Sequence, residues 1–382
     1  VESKGNDKRT DIQNIVYGNK YSIIGEGIYE KKLANGKRIG AGIRHTQSFS
    51  NNDYINGHNY NTKMQQGSTY VYSEFRGKMN KLDYILGIGR TRSFYRQEGS
   101  TDTYQYYTFN PKLTLKYTFT DRSYLRLRSS INNEMPSLGN LSAIDQVIDS
   151  LQIQRGNPYL ESYLNYTEIL DAEWSKGIFY AYMNFTYNYK PNAIMDEKYV
   201  EGNKIIQTWD NQKSWHRIAP MMQLRVGPVA NILQFSLSGG LNHFISNGNT
   251  YNHRYSNWWL DGSVSAMWKN FTFVYQIMTN QNWFSGETLS GGENAQIIML
   301  NYKWKDFRFG AGMINPFTDD FKVESENWNK YASSKKRQYF KESAQMGFIT
   351  LSYNFSFGRS YKSGDKKLNN KDSDSGIMQT GK

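Results

Sequence analysis

The chain has 382 residues, a formal net charge of +12, 38% hydrophobic residues and 15% aromatics, among them 30 tyrosines. It holds no cysteine, which excludes disulfides and thiolate metal sites, and no run of roughly eighteen apolar residues, which excludes helical membrane spans. The start at Val1-Glu2-Ser3-Lys4-Gly5 has no apolar leader core, so the sequence reads as a mature or partial chain. Lysine and arginine are spread along the chain, without one dense basic block outside the C-terminal tail. That spread fits anionic lipid headgroups or an anionic ligand better than nucleic acid, and no nucleic-acid partner is expected.

Residues 1–19 form a polar lead-in with no assignable element. Residues 20–358 read as long strands of alternating polarity, because a period of two puts successive side chains on opposite faces of a sheet. The first reversal falls at Ala34-Asn35-Gly36-Lys37, where Asn-Gly is a strong two-residue hairpin signal. Further tight turns are expected near Asn80, Asp121, Lys176, at Gly227-Pro228-Val229, at Lys269-Asn270 and at Lys305-Asp306. Longer polar connections are expected over 51–67, 99–103, 133–161, 195–203, 246–253, 286–294 and 315–344. Short and long connections therefore alternate, which puts tight turns at one edge of an up-and-down sheet and loops at the other.

Leu113, Leu115, Leu125 and Leu127 alternate with Lys112, Lys116, Arg126 and Arg128. In a closed barrel the charged set faces the lumen, since arginine or lysine at the lipid midplane costs about 2–4 kcal/mol. A soluble sandwich would put the same set in solvent. Tyr180 and Tyr182 break the pattern by standing opposite Phe179, Ala181, Met183 and Phe185. The stretch from Trp258 to Trp268 sets Trp258, Leu260, Gly262, Val264, Ala266 and Trp268 on one face, with Trp259, Asp261, Ser263, Ser265 and Met267 on the other. Ten residues of about 3.3 Å, tilted by about 45°, rise about 23 Å, close to the apolar band of about 25 Å in outer-membrane barrels. Tryptophans at both ends suit the two membrane–water interfaces. The last strand runs from Ile349 through Leu351, Tyr353 and Phe355 to Phe357. Residues 359–382 then read as a disordered periplasmic tail, rich in Lys, Asp, Ser, Gly and Asn. These patterns give an all-β chain: a transmembrane antiparallel up-and-down β-barrel of about fifteen visible strands, with short periplasmic turns and long extracellular loops. Trp258, Trp268, Tyr353, Phe355 and Phe357 are its expected membrane-interface aromatics.

One connection has its own content. Asn140 to Asp149 could form a short helix with Leu141, Ile144, Val147 and Ile148 on one face. Arg155-Gly156-Asn157-Pro158-Tyr159-Leu160-Glu161 then reads as a turn that stops it and starts the next strand. Together with Pro136-Ser137, this segment resembles the central barrel region of TonB-dependent receptors, particularly the outer membrane protein β-barrel family of Bacteroidetes-type bacteria. Tyr70-Val71-Tyr72-Ser73-Glu74-Phe75 and Tyr84-Ile85-Leu86-Gly87 are similar to preceding strands of that family, and Asp372 to Met378 to its tails. Family members usually show Pro-Glu shortly after the Gly-Asn-Pro segment, whereas here Leu160 is followed directly by Glu161.

The resemblance implies a receptor barrel of about 22 strands with a plug, of which this chain would be the C-terminal portion, in the outer membrane of a Gram-negative bacterium. It implies nutrient binding and uptake, with the TonB complex as partner only if a plug lies upstream. Partners would be outer-membrane lipid and a small or oligomeric nutrient ligand, with Lys112, Lys116, Arg126 and Arg128 as lumenal contacts. The alternative is a plug-less porin or structural barrel. The five histidines, His45, His58, His216, His243 and His253, lack metal spacing, and no nucleophile elbow or phosphate loop occurs. No catalytic residue, metal or cofactor is expected.

Overall fold

The computed structural model describes residues 15–358 apart from 56–58, 99–102, 143, 320 and 356. The tail over 359–382 and most of the polar lead-in lie outside the described residues. In chain order the strands are β1 (Ile15–Lys32), β2 (Arg38–Ile55), β3 (Asn59–Met79), β4 (Leu82–Gln97), β5 (Thr103–Phe109), β6 (Lys112–Thr120), β7 (Ser123–Glu134) and β8 (Asp145–Val147). Next come β9 (Gln152–Arg155), β10 (Tyr163–Lys176), β11 (Phe179–Pro191), β12 (Ile194–Glu201), β13 (Lys204–Asn211), β14 (Ser214–Val229), β15 (Leu233–Asn247) and β16 (Asn252–Trp268). The last are β17 (Phe271–Met278), β18 (Trp283–Ser285), β19 (Thr288–Ser290), β20 (Ala295–Trp304), β21 (Phe307–Ile314), β22 (Lys322–Asn327), β23 (Ser334–Tyr339) and β24 (Met346–Tyr353).

Sixteen of these strands form one antiparallel sheet in up-and-down order. β5 and β6 lie end to end along β4, so the sheet is fifteen strands wide. The break between them is Asn110-Pro111, where proline has no N–H for the ladder. Asn110 bridges the gap: its N–H reaches the Gly89 carbonyl at 2.8 Å and its side chain accepts from the Thr91 hydroxyl at 2.7 Å. Among the described residues the edge strands β1 and β24 do not pair with each other.

The register places apolar residues in rows across the strands. Phe235, Val264, Tyr275, Ile298 and Met313 are successive cross-strand partners on one face. Cross-strand pairs of this kind stabilise a sheet, yet this face stays bare: Leu260 is 53% exposed and Leu237 48%. A bare apolar face of this width belongs in lipid.

The tight-turn edge follows the sequence closely. Asn35 and Gly36 take φ of 59° and 72°, the left-handed pair that a type I′ hairpin requires. Lys269 and Lys305 head two-residue turns with φ of 50° and 52°. One turn differs from the reading above. β14 continues through Gly227-Pro228, and the reversal falls on Ala230-Asn231, with φ of 51° and 58°. Pro228 marks a register slip between Val226 and Val229, since it cannot donate to the β15 ladder.

The loop edge holds three corrections. In the connection expected over 51–67 the described residues are strand, because the β2–β3 ladder runs from Arg38 opposite Arg76 to Ile55 opposite Asn59. The one expected over 246–253 shrinks to four residues, because β15 and β16 pair as far as Asn247 and Asn252. Beyond the apolar band neither strand face needs to be greasy, so a hydrophobic period does not reveal these extensions. The helix expected over 140–149 is absent. A single 3-10 turn at Gly139–Leu141 leads into β8, and Val147 pairs with Ile153 of β9. The last strand also ends early, at Tyr353, with Phe355 and Phe357 following it outside the strand.

The remaining strands make two small sheets at the loop edge, in the orders β12-β13-β9-β8 and β18-β19-β22-β23. They pack on the face of the large sheet opposite the bare apolar rows. That face is the inner wall.

Candidate functional site: the inner wall and its mouth

Lys112, Lys116, Arg126 and Arg128 all lie on the inner wall, and Lys116 stands directly opposite Arg126. The leucines between them face outward, as strand geometry requires. Asp171 on β10 is fully buried and draws the two arginines together: Arg126 Nε and Arg128 Nη2 each donate to its Oδ2 at 2.9 Å. Its other oxygen accepts from the Tyr182 hydroxyl at 2.7 Å and the Asn184 amide at 2.8 Å. Tyr182 therefore stands on the polar face for its hydroxyl, which explains the aromatic pair that broke the alternation of β11.

Lys112 lies apart, bonded to Glu74 at 2.9 Å, and Glu74 also takes Arg76 at 2.6 Å. Lys116 has no carboxylate within 4 Å among the described residues and stands over the Tyr124 ring at 4.2 Å. Further inner cations were missed by the sequence reading, Arg217 and Arg225 among them. Arg217 donates to Asn242 Oδ1 at 2.8 Å and lies over the Trp283 ring, and Arg225 lies over the Tyr180 ring at 4.3 Å. Neither faces a carboxylate among the described residues. Both could have been found by carrying the β14–β15 alternation through the Pro228 slip.

Toward the loop edge the wall turns aromatic. Trp215, Phe244, Phe284 and Leu289 form a buried cluster with Ala193 and Met195, and Tyr163, Tyr255 and Trp328 pack around it. Trp215 Nε1 donates to the Phe284 carbonyl at 2.9 Å, which fastens the β18–β19 hairpin to β14. Glu134 accepts from Tyr163 at 2.6 Å, Asn165 at 2.6 Å and Lys190 at 2.9 Å.

The Gly-Asn-Pro segment is the clasp of the second cluster. A Cβ on Gly156 would fall on the Ser142 carbonyl, so only glycine fits there. The Asn157 N–H bonds to the Asn140 carbonyl at 2.6 Å, and its side chain donates to the Trp209 carbonyl at 3.1 Å. Leu160 is fully buried with Leu138, Leu141, Met64 and Tyr95, and the Tyr95 hydroxyl donates to its carbonyl at 2.6 Å. The motif thus locks a loop onto β3 and β4.

Ionisable groups in the loop sheets are perturbed. Arg155 is held above its usual range by its bonds to Asp145 and then Glu201. Burial raises the Asp196 carboxyl, against the hydrogen bond at 2.6 Å from the Thr288 hydroxyl, and nearby Glu287 adds to the rise. Burial lowers the Lys198 ammonium, which donates to the Ala332 carbonyl at 3.2 Å. Among the described residues no group of three or more His, Cys, Asp or Glu side chains could hold a metal ion.

On the outer face, Trp258 and Trp268 close the two ends of one apolar row, 74% and 57% exposed. Tyr353 stands opposite Phe307, with ring centroids 4.5 Å apart. Phe355 and Phe357 are exposed beyond the strand end. His243 lies on this face too, bonded to the Ser256 hydroxyl at 2.7 Å.

The fold resembles solved TonB-dependent receptors. The copper transporter OprC superposes with a TM-score of 0.64 at 8% identity, covering 88% of this chain and 57% of its own. The FrpB iron transporter from Neisseria meningitidis gives 0.60 at 9% identity, covering 84% and 54%. A mutant of the ferric enterobactin receptor PfeA from Pseudomonas aeruginosa, in complex with enterobactin, gives 0.56 at 14% identity, covering 80% and 50%. The chain therefore spans a little over half the length of the first structures it matches. Comparison with curated protein sequences finds no match. The outer membrane protein β-barrel family matches residues 3–355. With an up-and-down antiparallel sheet, one bare apolar face and one polar wall capped by loops, the chain belongs to that outer-membrane family.

Proposed function

We propose that this chain is the barrel portion of a TonB-dependent-receptor-type protein that binds a scarce nutrient at its loop-edge mouth and takes it up across the outer membrane. The open sheet carries this reading: fifteen strands whose edges β1 and β24, among the described residues, do not pair with each other, where receptors of this type close at about 22. In the full barrel the tight turns face the periplasm and the loop sheets face outside. A plug inside the completed barrel would contact the TonB complex. Lys116, Arg217 and Arg225, with the paired Lys112, Arg126 and Arg128, suit an anionic nutrient complex drawn inward by charge.

The test is the mass and upstream coding sequence of the native protein in outer-membrane fractions, followed by an antibody against the tail and by mass spectrometry. A species far larger than 44.5 kDa with an N-terminal plug is expected. A heat-modifiable species of 44.5 kDa, starting near Val1, would instead make this a self-contained barrel and overturn the receptor reading.

A further inference from the structure

The outer face is apolar almost everywhere at mid-height, yet one sector changes character toward the loop edge. Along β4 the outward residues are Leu82, Tyr84, Leu86 and Ile88, then Arg90, Arg92 and Arg96 with Phe94 between them. Their outward direction follows from register. Arg90 stands between Val71 and Phe109, and Arg92 between Thr69 and Tyr107, while the alternate residues Thr91, Ser93 and Tyr95 are buried inside.

Height can be counted along the strand. Ten residues separate Arg92 from Leu82 beside its tight turn, the same separation as Trp258 from Trp268 beside theirs. Arg92 therefore lies at the outer membrane–water interface, where an arginine costs far less than at the midplane. At this level on β16 the outward residue is the neutral Trp258.

Two of the guanidinium groups lie against aromatic rings. Arg90 lies over the Tyr107 ring at 5.1 Å, and Arg92 over the Phe94 ring at 5.8 Å, with its Nη2 donating to the Gln105 side-chain Oε1 at 3.0 Å. Among the described residues none of the three arginines has a carboxylate within 4 Å. The neighbouring Lys63, by contrast, is neutralised by Glu98 at 3.5 Å. Below Arg90 and Arg92 opens an outward groove of about 820 Å³, walled by Ala41, Val71, Ile88 and Phe109.

We propose that this sector binds a phosphorylated lipid of the outer leaflet, with a phosphate on Arg90 and Arg92, Arg96 adding positive charge further up the strand, and an acyl chain in the groove. The chemistry is complementary at both ends. Planar guanidinium forks match phosphate oxygens, and the wall beneath them is apolar and faces the hydrocarbon region.

The test uses the full-length protein purified from outer membranes in mild detergent and measured by native mass spectrometry with added lipid A, with and without its phosphates. Wild type should retain the phosphorylated form and release the dephosphorylated one. The R90Q/R92Q/R96Q variant should bind the phosphorylated form about a hundredfold more weakly, at about fivefold per arginine. Equal binding of both forms by wild type, or unchanged binding by the variant, would overturn the assignment. Displacement of the lipid by millimolar inorganic phosphate would show a free-phosphate site and overturn it as well. If the glutamine variant fails to assemble, the R90K/R92K/R96K variant decides. It should keep salt-sensitive lipid binding, and salt-insensitive binding would refute the proposal.

Discussion

Replacing Asp171 by alanine tests whether the inner wall is held by its paired charges. The carboxylate is fully buried and accepts four hydrogen bonds, two from arginines and two from neutral donors. At about 1.5 kcal/mol for each arginine bond and about 0.5 kcal/mol for each neutral one, the sum is about 4 kcal/mol. The arginine side chains remain 30% and 41% exposed, so lumenal water takes over part of their hydration and discounts that sum. The expected loss is about 3 kcal/mol, at the low end of what breaking a buried pair costs. The assay is denaturant unfolding of the full-length protein in lipid vesicles, followed by tryptophan fluorescence and by the heat-modifiable band. Placing the change in an Arg126→Gln background should shrink its effect, because the two residues share one network. A loss below about 1 kcal/mol, or full additivity with Arg126→Gln, would refute the view that Asp171 is the hub of this wall.

Three other outcomes follow from the geometry. Val264→Arg puts a charge near mid-height on the outer face and should cost about 2–4 kcal/mol, visible as lost assembly in outer-membrane fractions, whereas Ser263→Arg on the inner face should assemble normally. Gly156→Ala drives a methyl into the Ser142 carbonyl and should loosen the loop by about 1–3 kcal/mol, read as faster trypsin cleavage after Arg155 on intact cells. Asp196, with its carboxyl raised by burial, favours the closed loop sheets below about pH 4, and that contribution declines as pH rises toward the raised native value. Protection of β12 against hydrogen exchange, corrected for the intrinsic exchange rate, should therefore be greater at pH 4 than at pH 8, and Asp196→Asn should flatten that difference.

The tight-turn edge and the sidedness of most strands were legible because they are local properties. Asn35-Gly36 and Lys269-Asn270 encode their own reversals, and Leu113 to Leu127 encode their own faces. The loop edge was not legible for a different reason. β8 and β9 are short, and their partner β13 lies about fifty residues away, joined in parallel at Ile206 opposite Ile153. Without that partner, the apolar residues Ile144, Val147 and Ile148 fit a helix as well as a strand. The four lumenal cations were visible as a charged face, but Asp171 was not visible as the common acceptor of Arg126 and Arg128. Its pairing depends on β10 meeting β7 across a long connection. Arg90, Arg92 and Arg96 also alternate plainly in the sequence, yet their outward direction needs the register of three strands.

The parallel pairing of β9 with β13 ties together two loops that leave the wall at different strand pairs. Loops joined in this way cannot open one at a time. A molecule that displaces the β12–β13 hairpin must also strip hydrogen bonds from the 152–155 segment, and through Asn157 it pulls on the clasp at Leu160. The mouth thus moves as one lever with two arms, and contact at either loop is felt at β3 and β4, where Leu160 is seated.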